Sequence, residues 1–271
     1  MLNNIIKALL KSKLILSKIV NKVIFTYSKI GYSESKYFKE QEVLFSDLGL
    51  DYLDSIDKLN NIYKAYPKLK DPMSSCHHNL FAALSKKFKF ENILEIGTHN
   101  GTGTVLLSKL FPESKIVTLD LPDDHAVFLT TYSRDKDDRL DFIHNRDKLL
   151  SSSENIQFKQ VDSLTLSFCE EKFDLIWVDG AHGYPIVTAD IVNSLRILKK
   201  GGFVLCDDVF KKVKKSDEMY CSIASYETIK SLSSAKLINY SLVHKRIIKP
   251  YAAPKLRKYI AVLQAKDSLN D

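Results

Sequence analysis

The sequence predicts an α/β protein with a mostly parallel sheet, and three observations support this. Short apolar runs alternate with helical segments after residue 90, which is typical of βαβ units. A glycine-rich loop joins the first run to a helix, and several later runs end in carboxylates. Because parallel strands of such a sheet bind ligands at their carboxyl ends, we expect these groups to surround a ligand there.

The first 36 residues are predicted to form a basic amphipathic helix. In residues 2–25, apolar pairs recur at helical spacing, and Lys7, Lys11, Lys18 and Lys22 fall on one face. The lysines interrupt the run too often for a membrane span or a secretory signal. Two interpretations remain: a helix packed on the domain or on the second subunit of a homodimer, or an interfacial helix on anionic lipid. The polar residues 33–36 are expected to end this unit.

Residues 37–90 are predicted to form a helical cap before the sheet. Apolar residues recur at helical spacing from Leu53 to Ile62, Pro67 and Pro72 break the pattern, and a helix over 79–88 leads into the first strand.

Residues 91–265 carry the alternating pattern. The predicted strands cover 92–96, 115–119, 156–161, 173–178, 202–206, 237–243 and 259–264, with helices over 102–111, 186–198 and 217–233. The connection 122–150 is unusually long, so it is either a substrate cover or a surface helix pair.

The charge distribution argues against a nucleic-acid partner. Residues 1–40 carry a net charge of +6 and residues 211–271 a net charge of +8, whereas residues 41–210 carry −7. An enzyme acting on nucleic acid would more often surround its site with positive charge. Four cysteines without a C-x-x-C pair indicate reduced thiols and a cytoplasmic location. If residues 1–30 bind lipid, the protein would lie at the inner face of a membrane.

The glycine spacing bears on which nucleoside binds. The loop reads Glu95-x-Gly97-x-x-x-Gly101-x-Gly103, whereas a dinucleotide fingerprint is G-x-G-x-x-G facing a pyrophosphate. A carboxylate at Glu95 would repel a pyrophosphate and suit a cationic amino group. A nicotinamide-dependent oxidoreductase is therefore the alternative rather than the first choice.

This loop resembles the first motif of class I S-adenosylmethionine (SAM)-dependent methyltransferases, and the resemblance extends over roughly residues 80–265. It implies a Rossmann-like, mostly parallel seven-stranded sheet with an antiparallel C-terminal hairpin and helices on both faces. It also implies a set of SAM-binding positions in the loop, after the second strand and after the third strand. They are Glu95, Gly97, Thr98, Gly101, Gly103, Asp120, Asp162 and Ser163.

Three further carboxylates follow the fourth and fifth strands: Asp179, Asp207 and Asp208. Adjacent parallel strands end at the same edge of the sheet, so these groups should converge. Unpaired buried carboxylates repel one another, and a divalent cation would remove the conflict. Oxygen ligands suit Mg, Mn or Ca. The alternative is that Asp207 or Asp208 caps the next helix.

This arrangement resembles the metal-dependent O-methyltransferases of the catechol and macrolide-sugar type. The resemblance implies that the three acids bind a divalent cation, expected to be Mg, which holds the acceptor oxygens. Asp208 stands where the catechol enzymes have Asn. The resemblance also implies a proton acceptor at His182, and imidazole suits this role near neutral pH.

The expected function is therefore metal-assisted O-methylation of a hydroxyl on a small or glycan-like acceptor. No Asn-Pro-Pro-Tyr or Asp-Pro-Pro-Tyr element follows the fourth strand, which disfavours amino methylation of a nucleobase. Besides the oxidoreductase, a membrane-associated, non-catalytic SAM-binding protein remains as an alternative.

Overall fold

The computed structural model describes residues 33–71, 74–130, 135–213, 222–248 and 257–266. The helix predicted over residues 2–25 lies outside these ranges. Within them, no helix has both the length and the apolar character needed to span a membrane.

A seven-stranded sheet forms the centre of the molecule, in the order β3-β2-β1-β4-β5-β7-β6. Neighbours among β1 to β5 pair in parallel, whereas β7 pairs antiparallel with both β5 and β6. This confirms the predicted sheet with its antiparallel C-terminal hairpin. The strands are β1 Asn92–Ile96, β2 Lys115–Asp120, β3 Ile156–Gln160, β4 Phe173–Val178, β5 Leu198–Val209, β6 Ile238–His244 and β7 Tyr259–Ala265.

Helices cover both faces of the sheet, as predicted. One apolar cluster joins the N-terminal helices to the sheet through residues such as Phe45, Leu84 and Trp177. A second cluster on the other face includes Ile191 and Ile229. The α-helices are α1 Glu34–Asp47, α2 Tyr52–Ala65, α3 His77–Lys87, α4 Thr102–Leu110, α5 Ala126–Thr130, α6 Lys136–Leu150, α7 Ile186–Arg196 and α8 Ala224–Ser234.

Two boundaries differ from the sequence prediction for identifiable reasons. The polar segment 33–36 begins α1, because the Ser33 hydroxyl accepts a hydrogen bond from the Lys36 N–H as an N-cap. Strand β5 begins earlier than predicted, because Leu198 pairs with Phe173 before Gly201 and Gly202 interrupt the apolar pattern.

The helical cap is fixed to the C-terminal hairpin. The Gln41 side chain in α1 donates to the His244 carbonyl at 3.0 Å and accepts from the His244 N–H at 2.9 Å. The Cys76 N–H donates to the Lys245 carbonyl at 2.7 Å. These bonds fix the end of β6 beside the carboxyl end of β5, where β5 and β7 pair at Val209 and Tyr259.

Candidate active site

The glycine loop packs backbone to backbone against the loop after β4. Gly97 has φ +100°, and a Cβ atom there would lie 2.4 Å from the Asp179 carbonyl oxygen, so no other residue fits without a shift. Gly101 has φ +79° and precedes α4, where a Cβ would lie 2.9 Å from the Leu150 side chain. The loops after β1 and β4 therefore hold each other in place.

Glu95 and Thr98 support this loop from beneath. The buried Glu95 carboxylate accepts hydrogen bonds from Thr104 and Thr118, the latter at 2.7 Å. Burial raises the pKa of Glu95 to about 7, although these two hydroxyls lower it. A Cβ on Gly103 would lie 3.1 Å from the same carboxylate. Glu95, Thr98 and Gly103, three of the predicted SAM-binding residues, therefore shape the loop without lining the cavity above it.

A cavity of about 270 Å³ opens at the carboxyl edge of the sheet, and Gly97, Asp120, Asp162 and Ser163 line it. The two Asp120 oxygens accept backbone hydrogen bonds at 2.8 Å, one from the N–H of His99 and one from that of Leu121. Each oxygen keeps a second lone pair for a ligand hydroxyl. The pKa of Asp120 is raised, because burial outweighs these two hydrogen bonds.

Asp190 is a further buried acid at this cavity that the sequence analysis did not identify. It lies on α7, is fully buried and lines the cavity together with Asp162 and Ser163. Burial raises its pKa to about 6, while the nearby Ser163 hydroxyl lowers it. Among the described residues, neither Asp190 oxygen has a hydrogen-bond partner of normal geometry. Because an acid within a helix usually lies on the solvated face, no pattern in the sequence pointed to Asp190.

Described residues of the insertion 122–150 line one side of the cavity. Phe128 and Phe142 line it, and the Phe142 ring lies 5.3 Å from the His99 ring and 6.2 Å from the Phe128 ring. The buried Arg146 guanidinium of α6 donates to both carboxylate oxygens of Asp123. These described parts of the insertion therefore form a wall of the cavity beside Asp120.

The structure brings Asp179, Asp208 and His182 together next to this cavity. The His182 Nε2 atom lies 3.9 Å from an oxygen of Asp179 and 3.9 Å from an oxygen of Asp208. Asp179 also lines the cavity, so the cluster adjoins the expected position of a bound nucleoside. Burial lowers the pKa of His182 more than Asp208 and Asp207 raise it. The imidazole is therefore neutral at neutral pH.

Two lysines neutralise the acids after β5. Lys245 follows β6 and is only 6% exposed, and its ammonium group contacts one oxygen of Asp207 and one of Asp208. The Lys258 ammonium contacts the other oxygen of Asp208. Lys245 keeps the pKa of Asp207 below its ordinary value, although burial raises it. Burial and the neighbouring Asp207 charge raise the pKa of Asp179 well above its ordinary value.

These contacts do not fit the predicted metal ligands, because ammonium groups already occupy three of the four oxygens of Asp207 and Asp208. In the described ranges, no group of three or more His, Cys, Asp or Glu side chains is arranged to hold a metal ion.

The sequence analysis missed these lysines, although it predicted the hairpin that carries them. Lys245 directly follows β6, Lys258 directly precedes β7, and β7 runs antiparallel to β5. Antiparallel pairing brings both positions to the carboxyl end of β5, where Asp207 and Asp208 lie.

The backbone at Asp208 has an unusual conformation. Its φ of +49° lies in the left-handed region, and the β5–β7 pairing shifts register between Cys206 and Val209. A bulge of this kind changes the direction of side chains at a strand end. Strain of this type concentrates at functional sites.

His77 is another neighbour of this cluster that the sequence analysis did not assign. Its ring stacks on Trp177, with centroids 5.3 Å apart and an interplanar angle of 23°. Burial lowers the pKa of His77, and the charges of His78 and Lys245 lower it further. The helical cap therefore contributes a neutral imidazole near the acid cluster.

Comparison with known proteins identifies the domain. Residues 94–209 match the family model of a methyltransferase domain. A search of curated proteins gives no match.

Three solved structures share the fold at low sequence identity. The first is the O-methyltransferase TomG from Streptomyces achromogenes, involved in tomaymycin synthesis and solved with SAM: 16% identity, 83% of this chain and 95% of that chain covered, TM-score 0.52. A candidate caffeoyl-CoA O-methyltransferase from Staphylococcus aureus has 13% identity, 78% and 92% coverage, and TM-score 0.51. A candidate O-methyltransferase from Klebsiella pneumoniae has 16% identity, 69% and 78% coverage, and TM-score 0.50.

The matched residues include the glycine loop, Asp120 and the acids after β4 and β5, and the strand order agrees with the sheet that the resemblance implies. Residues 94–209 therefore match a methyltransferase domain, and the sheet around them has the fold expected of class I SAM-dependent methyltransferases.

Proposed function

We propose that the protein transfers a methyl group from SAM to a hydroxyl oxygen of a small or glycan-like acceptor, with His182 as the general base. The observation that carries this proposal is the position of His182. Its neutral imidazole lies 3.9 Å from Asp179, and Asp179 lines the cavity that Asp120 and Asp162 also line. The proton acceptor thus lies at the border of the cofactor cavity.

The cavity suits SAM in three respects. Gly97 leaves room where the two loops touch, and Asp120 offers lone pairs to the ribose hydroxyls. Asp162 and Ser163 line the part that would hold the adenine. The methionine part of SAM would lie at the end of the cavity that Gly97 and Asp179 line.

Methyl transfer to oxygen needs a positioned acceptor and a group that takes its proton. When bound, SAM supplies a methyl group on a sulfonium and is released as S-adenosylhomocysteine. The acceptor oxygen forms the new bond to the methyl carbon as the carbon–sulfur bond breaks. The hydroxyl proton passes to Nε2 of His182, and a later transfer to water restores the neutral imidazole.

An oxygen acceptor is favoured over nitrogen by the names of the three similar structures, all described as O-methyltransferases. A cytoplasmic location, with residues 1–30 as a site of peripheral membrane contact, belongs to the same proposal. A divalent cation does not, because lysines occupy the carboxylates that would bind it.

Binding and turnover test the proposal separately. Calorimetry should detect SAM binding to the wild-type protein, and Asp120→Ala should weaken it by about 1–3 kcal/mol, the scale of lost charged hydrogen bonds. Asp141→Ala, on the exposed face of α6, is the matched control and should bind normally. NADH should not bind.

Turnover is then measured with SAM labelled on the methyl group and a panel of sugars, catechols and other hydroxylated compounds. Label should appear in at least one acceptor as a methyl ether. Label found only on nitrogen acceptors would overturn the proposed acceptor class, and tight NADH binding without SAM binding would favour an oxidoreductase.

A further inference from the structure

We infer that Lys245 is the fixed cation of the acceptor site: its ammonium group binds the acceptor oxygen, and methyl transfer needs no divalent metal. This inference rests on the proposed function, and it concerns how the acceptor is held. Three features of the structure carry it: the contacts of the ammonium group, its position relative to His182, and the charge of the cluster.

The first feature is a buried ammonium group with an available donor. Lys245, Asp207 and Asp208 are 6%, 4% and 8% exposed, and a buried charge needs a partner. An ammonium group has three N–H donors, of which one contacts Asp207 and one contacts Asp208. In the part of the chain that the structure describes, no third acceptor contacts this group, so one donor remains for an acceptor oxygen.

The second feature is the common carboxylate between the lysine and the proposed base. One oxygen of Asp208 contacts the Lys245 ammonium, and the other lies 3.9 Å from Nε2 of His182. The cation and the proposed base therefore lie on either side of a single carboxylate, beside the cavity that Asp179 lines. The cation would stabilise the negative charge that develops on the oxygen as His182 takes the proton.

The third feature is the formal charge of the cluster. The carboxylates of Asp207 and Asp208 carry two negative charges, and the ammonium groups of Lys245 and Lys258 that contact them carry two positive ones. A divalent cation would add two uncompensated positive charges and would have to displace at least one ammonium group. Repulsion between cations at contact distance in a buried site is strongly unfavourable, so the lysines exclude the metal.

The backbone fixes the lysine in place before any ligand arrives. The Lys245 carbonyl accepts from the Cys76 N–H at 2.7 Å, and the Lys245 N–H donates to the Lys258 carbonyl at 3.1 Å. A donor held in this way needs little reorganisation during the reaction, which is the condition for electrostatic stabilisation of a transition state.

Metal binding by the purified full-length protein tests the inference without any acceptor. Mn²⁺ is titrated against wild-type protein, Lys245→Met and Lys199→Met, and free Mn²⁺ is followed by electron paramagnetic resonance. Lys199 is the matched control, because it also bridges two carboxylates, at 2.6 Å from Glu91 and 3.1 Å from Asp174, at the start of β5. We expect no binding by the wild type or by Lys199→Met, and binding of one Mn²⁺ by Lys245→Met.

Turnover on an acceptor from the panel above gives a second measurement. Wild type should keep its rate in excess chelator. Lys245→Met should lose roughly 10²-fold or more, as for other groups that stabilise a developing oxyanion, while its SAM affinity stays unchanged. In Lys245→Met, Asp207 loses its ammonium partner, which could prevent folding. In that case the double variant Lys245→Met/Asp207→Asn, which removes one positive and one negative charge, is measured instead.

Two outcomes would overturn the inference: binding of one Mn²⁺ by the wild type that Asp207→Asn abolishes, or loss of wild-type turnover in chelator with recovery on adding Mg²⁺. Both leave the proposed methyl transfer intact. Absence of SAM binding or of any methylated product would instead refute the proposed function, and the Mn²⁺ titration would still decide the question of the cation.

Discussion

His182 has surroundings that set the pH at which a base at this position can act. Burial lowers its pKa below the ordinary value of 6.5, and a general base must be neutral to accept a proton. Activity should therefore be full above this lowered pKa and fall as the pH decreases through it. We expect the acidic limb of the profile of kcat against pH to have its midpoint below 6.5.

Substitution of His182 separates catalysis from cofactor binding. His182→Ala should lower kcat by roughly 10²–10⁴, the usual contribution of a positioned base, and leave SAM affinity unchanged. His144→Ala, at an exposed position of α6, is the control and should keep the full rate. Loss of SAM affinity in proportion to activity would instead make His182 a structural residue.

Glu95 provides a stability prediction with a defined sign. Its pKa in the folded state is about 7, against an ordinary value of 4.5, so the folded state holds more protons than the unfolded state between these values. The free energy of unfolding should therefore fall as the pH rises from 4.5 to 7. Relative to Glu95→Gln, the wild type should lose on the order of 2 kcal/mol between pH 5 and pH 8.

Urea unfolding of both proteins at the two pH values measures this difference. The control Glu113→Gln, at an exposed position, should have the same free energy of unfolding as the wild type at both pH values. Parallel behaviour of Glu95→Gln and the wild type would mean that the Thr104 and Thr118 hydroxyls keep Glu95 ionised in the folded protein.

At the scale of elements, the insertion 122–150 is the part of the fold with a testable role at the cavity. Phe142→Ala removes a ring that lines the cavity and contacts His99. Loss of this aromatic contact should weaken SAM binding by about 0.5–1.5 kcal/mol. Leu140→Ala, on the same helix with a side chain 56% exposed, should bind SAM normally. If calorimetry gives the wild type and Phe142→Ala equal affinities for SAM, the insertion would cover the acceptor and not SAM.

The sequence predicted the sheet well, because apolar runs ending in Gly or Asp mark parallel strands strongly. Strands β1 and β4 have the predicted bounds, and Asp179 and His182 meet at the edge where parallel pairing brings them. Contacts that depend on side-chain direction were not predictable in the same way. Glu95 looks like a ligand in sequence, yet its carboxylate points to Thr104 and Thr118.

Groups contributed by distant segments were harder still to predict. Lys245 reaches Asp207 only because the β5–β7 pairing and the bond from the Cys76 N–H fix its position. No pattern in the sequence around Lys245 predicts either contact. The prediction of a metal site therefore included the acids but not the lysines that neutralise them.

At the scale of the whole molecule, we expect SAM binding not to require the basic N-terminal segment. Residues that line the cavity begin at Ile96, and Ser33 caps α1 with its own side chain. Deletion of residues 1–30 should therefore leave SAM affinity and the melting temperature nearly unchanged. Loss of folding in the shortened chain would show that the segment packs on the domain.

The same deletion distinguishes the two interpretations of this segment. If it binds anionic lipid, the full chain should sediment with anionic vesicles at low salt and dissociate as salt screens its lysines, and the shortened chain should stay in solution. If it joins two subunits, light scattering should report a dimer only for the full chain.

The lysines at Asp208 have a consequence for the order in which the protein is made. Lys245 and Lys258 lie 37 and 50 residues after Asp208, so a ribosome completes all five parallel strands before it adds either cation. Until then the two acids at the end of β5 have no counter-charge and would remain hydrated. If Lys245 binds the acceptor as we propose, the acceptor site is complete only after the C-terminal hairpin has docked, and a nascent chain without this hairpin should not methylate an acceptor.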